Sequence, residues 1–124
     1  MANILIIDDQ PYLEKLLSEE FCEQGHRITR TENIEEAWET LRWRRPDIVL
    51  LDLHLEGLER WDLLHRIKLE DSHLPVLIVT AFNGFINDTR FAEADGYVIR
   101  DIYPDAIKKK IEEVLGQKSR WKGG

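Results

Sequence analysis

One cysteine, Cys22, stands in the whole chain, so no internal disulfide can form and no thiolate cluster is available for a metal. That usage fits a reducing compartment, and the cytoplasm is the expected location. Cys22 follows Phe21 in a stretch of helical period, which predicts a packed residue. Long apolar runs are missing too: none approaches the roughly 20 residues that a membrane helix needs. The first apolar run stops at two aspartates, so it is not read as a signal peptide. Positive charge is scarce, with 17 Lys and Arg against 24 Asp and Glu and a net charge of -7. Such a domain is not expected to bind nucleic acid or an anionic membrane. Trp43 beside Arg42, Arg44 and Arg45 is accordingly read as a solvated helix end. Carboxylates are left over for a cation. What remains is 124 residues at 43% apolar and 33% charged, enough for one soluble domain with a real core.

Five short apolar runs organise the chain. Ile4-Leu5-Ile6-Ile7 leads into Asp8-Asp9, and Ile48-Val49-Leu50-Leu51 leads into Asp52. Pro75-Val76-Leu77-Ile78-Val79 leads into Thr80, and Tyr97-Val98-Ile99 into Arg100. A weaker run around His26 to Ile28 ends in Arg and Thr. Short β-branched runs between segments of helical period predict buried parallel strands.

The intervening segments carry helix signals. Pro11 opens one whose face is Leu13, Leu16, Leu17 and Phe21, with Gly25 as its stop. Asn33 caps a second with Ile34, Ala37, Trp38 and Leu41 inward, closed by Pro46. A third covers Glu59 to Glu70 with Leu63, Leu64 and Ile67 inward. A short one is expected around Asn87 to Ala94, after the turn signal Asn83-Gly84. Pro104 starts the last, with Ile107, Ile111, Val114 and Leu115, ending near Gly116. Strand and helix alternate five times, which predicts a single α/β domain with a parallel sheet and helices on both faces. Residues 1–117 form the expected domain. Residues 118–124 are read as a basic tail, a linker or a cloning remnant.

In open α/β sheets, sites lie beyond the carboxyl ends of the strands. Asp8, Asp9, Asp52, Thr80 and Arg100 are all placed there. Three carboxylates crowded together repel unless a cation or a proton intervenes. Mg²⁺ suits oxygen ligands of this kind, and a hydroxyl and a cation facing it suit the oxygens of a phosphoryl group. Taken singly, Asp8 and Asp9 also fit helix caps, Thr80 a strand end and Arg100 a surface cation. Asp52 closes four apolar residues and has no helix directly after it, so capping does not explain it.

The ordered set resembles the receiver domain of two-component response regulators over about Ala2 to Gln117. The matching elements are Asp8-Asp9, Leu-Leu-Asp52 with Leu-His-Leu-Glu-Gly57 following, Thr80-Ala81, and the strand Gly-Tyr97-Val-Ile-Arg100. The resemblance implies a doubly wound, flavodoxin-like sheet in the order 2-1-3-4-5. It implies that Asp52 accepts a phosphoryl group from a histidine kinase or phosphotransfer protein, and that a downstream effector protein or domain reads the result. Such a domain catalyses only its own phosphorylation and dephosphorylation. Asp9 and Asp52 would bind Mg²⁺ with the backbone carbonyl of His54, and Asp8 would act mainly through water. Thr80 would bond a phosphoryl oxygen, Tyr97 would be the aromatic that changes rotamer, and His54 and Phe82 would border the path of hydrolytic water.

Four features depart from the family pattern. Arg100 stands where a lysine is usual, replacing a compact ammonium by a planar fork. Asp101 stands where a proline after a cis bond is usual. Glu56 and Arg60 replace Pro and Gly, and the stretch from Thr80 to Tyr97 is short. The alternative reading is a pseudo-receiver, an interaction module not switched by phosphate. An aspartate-nucleophile phosphatase would need an acid two positions after Asp52, where His54 stands. A flavin domain would want a phosphate loop in place of Asp-Asp-Gln-Pro.

Overall fold

The computed structural model describes residues 2–57, 59–80, 89–99 and 104–123. Its five strands are β1 (Asn3–Ile7), β2 (Arg27–Thr31), β3 (Ile48–Asp52), β4 (Val76–Thr80) and β5 (Gly96–Ile99). They form one parallel sheet in the order β2-β1-β3-β4-β5. The helices are α1 (Tyr12–Glu23), α2 (Ile34–Trp43), α3 (Trp61–Glu70) and α4 (Pro104–Gly123). The expected class and strand order are those observed.

Strand side chains alternate between faces, so each central strand feeds two cores. Leu5, Ile7, Val49, Leu51, Val76 and Ile78 pack on the side of α2 and α3. Ile4, Ile6, Ile48, Leu50, Leu77 and Val79 pack on the side of α1 and α4. All twelve are essentially inaccessible to solvent. Fully burying one such side chain contributes about 1.5–3 kcal/mol, so the three central strands hold the sheet edge rigid. That edge carries the acidic residues.

The helix ends follow local chemistry. Gly25 has φ +88, and the His26 and Gly25 amides donate to the carbonyls of Phe21 and Cys22, closing α1. This pattern needs a left-handed residue, which glycine adopts without strain. Asn33 accepts the Glu36 amide at 2.9 Å, while a Glu36 carboxylate oxygen accepts the Glu32 amide, which fixes the start of α2.

Several local expectations differ from what is observed. Cys22 is exposed, because the buried face of α1 runs through Leu13, Leu17 and Phe21 and the next residue is turned about 100° away. Helix α3 starts at Trp61, two residues late, and Trp61 itself is buried. Helix α4 continues past Gly116 to Gly123. Nothing lies within 4 Å of where a Cβ on Gly116 would sit, so this glycine weakens the helix without ending it. Within 87–94 the described part is a 3-10 turn, Thr89–Glu93, rather than an α-helix. Phe91 and Ala94, three residues apart, pack together against the α3 side, which suits that tighter period. Phe82, Asn83-Gly84, Arg100 and Asp101 lie outside the described residues.

Candidate metal and phosphoryl site

Strand register brings the acidic residues together. Ile7 pairs with Leu51, so Asp8, the next residue after β1, stands level with Asp52 at the end of β3. Asp52 in turn is level with Val79, and Thr80 ends β4 opposite Ile99. One carboxylate oxygen from each of Asp8, Asp9 and Asp52 lies within 4.8 Å of the others. Asp8 and Asp52 are buried and Asp9 is half-buried, while Thr80 is 1% exposed. A set of oxygen donors this close matches a small hard cation better than a soft metal.

Backbone geometry steers the carboxylates. Asp8 Oδ1 accepts the Gln10 amide at 2.9 Å, an Asx turn that carries the chain out of β1 into α1. The turn explains how adjacent aspartates, which would face opposite ways in a strand, reach one point. Asp52 Oδ1 accepts the His54 amide at 3.1 Å, and the His54 carbonyl accepts the Gly57 amide at 3.1 Å. Gly57 takes φ +79 and turns the loop back toward α3. Arg60, in place of the usual glycine, sits at φ -105, ψ 47, where a side chain carries no left-handed penalty.

One contributor was not legible in the sequence. Arg30 of β2 sends its Nη1 to the Asp8 carbonyl at 3.1 Å, its Nε to Glu14 at 3.2 Å and its Nη2 to Glu32 at 3.0 Å. Burial works against its charge, but the bonds to Glu14 and Glu32 outweigh burial and leave its pKa raised. The available signal was a charged residue at an alternating position of a weak strand, two residues from Glu32. Tyr97 is half-buried and packs on Phe91, with ring centroids 5.1 Å apart.

The chain matches the family model of the response regulator receiver domain over residues 4–112. It belongs to that family. Among relatives, this receiver is 30% identical over 122 residues to the transcriptional regulatory protein AfsQ1 of Streptomyces coelicolor, covering 97% of this chain and 54% of that protein. It is 30% identical to the sporulation initiation phosphotransferase F of Bacillus subtilis, covering 94% of this chain and 96% of that one. Among solved structures it is similar to the response regulator TrrA of Thermotoga maritima in complex with Mg²⁺ and beryllofluoride. The TM-score is 0.80 at 30% identity, over 92% of this chain and 99% of TrrA. TrrA has also been solved in complex with the histidine kinase ThkA. The receiver spans about half the length of several of the regulators it matches.

Proposed function

We propose that Asp52 accepts a phosphoryl group from a histidine kinase or phosphotransfer protein in a Mg²⁺-dependent step, and that a downstream effector protein or domain reads the modified receiver. The carrying observation is the convergence of Asp8, Asp9 and Asp52 oxygens within 4.8 Å beside buried Thr80. The Mg²⁺-beryllofluoride complex of TrrA supports the choice of ion.

An Asp52 carboxylate oxygen forms a bond to phosphorus as the bond from phosphorus to the donor breaks. Asp9 and Asp52 would hold the ion, with the His54 carbonyl, whose two lone pairs allow a ligand role beside the Gly57 bond. Asp8 would act mainly through water. Bound Mg²⁺ would supply positive charge to the phosphoryl oxygens. Thr80 donates its hydroxyl to a phosphoryl oxygen, and Arg100 supplies a second cation there. Tyr97 is the aromatic whose position reports the change. The protein's share is positioning, which is the larger part of phosphoryl transfer. We take residues 1–117 as the receiver, 118–124 as a tail, and the cytoplasm as its compartment.

Incubation with Mg²⁺ and acetyl phosphate, followed by intact mass, tests this. Wild type should gain one phosphoryl group, and Asp52→Asn or omission of Mg²⁺ should abolish the gain. The Arg100-Asp101 pair favours a second reading, a pseudo-receiver, and no gain in wild type would select it.

A further inference from the structure

We propose that Arg30, on the edge strand β2, is a positioning residue of the acidic site, holding the turn that presents Asp8 and Asp9 to a cation. The inference rests on the metal role given to those aspartates above.

Three bonds among the described residues help to hold Asp8. Its amide donates to the Thr31 carbonyl at 3.0 Å, its Oδ1 accepts the Gln10 amide, and its carbonyl accepts from the Arg30 guanidinium. Two of those three bonds come from the last two residues of β2. Without Arg30 the carbonyl of Asp8 loses a charged donor, and the peptide between Asp8 and Asp9 loses a bond that helps set its plane. Asp9 follows that peptide.

A cation beside a cation site is unfavourable unless its charge is answered. Here it is answered locally, because Arg30 lies between Glu14 of α1 and Glu32. Those two carboxylates offset the guanidinium and orient its fork, so it braces the backbone without competing for the aspartates. Only arginine has donors spread in one plane to reach three acceptors on separate elements. Its side chain is 16% exposed, and its bonds to Asp8 and Glu14 are partly buried, whereas the one to Glu32 lies at the surface.

Charge and position predict opposite signs. If Arg30 mattered only as a nearby charge, removing it would tighten Mg²⁺ binding. As a brace, removing it weakens binding, on the order of 10-fold or more, the usual effect of losing a group that orients a metal ligand. The test is calorimetric titration of wild type, Arg30→Met and Arg30→Lys with Mg²⁺, with amide hydrogen exchange at Gln10 measured in metal-free protein. Both variants should bind more weakly, with Lys between wild type and Met, and Gln10 should exchange faster in both. Binding by Arg30→Met as tight as wild type or tighter would overturn the proposal. Should wild type bind no Mg²⁺, the metal reading of the aspartates fails, and Gln10 exchange alone decides: unchanged protection in Arg30→Met would sink the brace.

Discussion

Under the proposed function, switching would turn on Arg100. A phosphoryl group alters a distant surface only if some element meets it differently in two states. A lysine ammonium meets a phosphoryl oxygen as a point charge, whereas a guanidinium needs a planar approach and pairs readily with carboxylates. Tyr97 adds resistance of its own. It packs on Phe91, which packs edge-on against Trp61 at 5.0 Å, and the Arg90 guanidinium lies 4.5 Å from the Trp61 ring centre. Each aromatic pair contributes about 0.5–1.5 kcal/mol beyond burial, so a rotamer change at Tyr97 gives up a real contact. We therefore expect phosphorylation of Asp52 to couple weakly to the surface around Tyr97. Amide shifts with and without beryllofluoride check this: large near Asp52, small at Tyr97 and Thr89–Glu93, and larger there in Arg100→Lys. Large wild-type shifts across that whole face would contradict it.

Strand β5 is only partly buried, with Val98 as its one buried residue, and it is held by polar contacts that no apolar pattern announces. Asp95, just before it, accepts the Val76 amide at 2.8 Å and Lys68 Nζ at 3.0 Å, while Lys68 also reaches the Leu74 carbonyl at 2.9 Å. The Asp95 amide donates to the Val76 carbonyl, so one residue fixes the starts of β4 and β5 together. Asp95→Ala should destabilise the fold by about 1–3 kcal/mol, the cost of leaving such partners unmet. Urea unfolding checks it; an unchanged midpoint would mean water replaces the carboxylate. Strands β1, β3 and β4 were legible because burial on both faces makes a continuous apolar run. The 3-10 turn at Thr89–Glu93 was not, since two anchors three residues apart also fit a short α-helix. The cap of α2 was legible in Asn33, whereas the late start of α3 depends on where Gly57 and Arg60 direct the loop.

At the scale of the molecule, parallel register converts separate sequence motifs into one site. Asp8, Asp52 and Thr80 each follow an apolar run, and equal strand phase sets their ends side by side. This convergence could be read in the chain because an acid closing a buried run has few structural explanations. The role of Arg30 could not, because it depends on β2 lying beside β1 with Ile6 opposite Arg30. The function proposed for this receiver depends on Asp52 carrying the phosphoryl group. Its most direct test is to treat the protein with Mg²⁺ and acetyl phosphate, reduce with borohydride, and map the product by tandem mass spectrometry. Reduction of an aspartyl phosphate leaves homoserine. Homoserine is expected at position 52 only, and only when both Mg²⁺ and donor were present. Homoserine at another aspartate, or none at all, would contradict it.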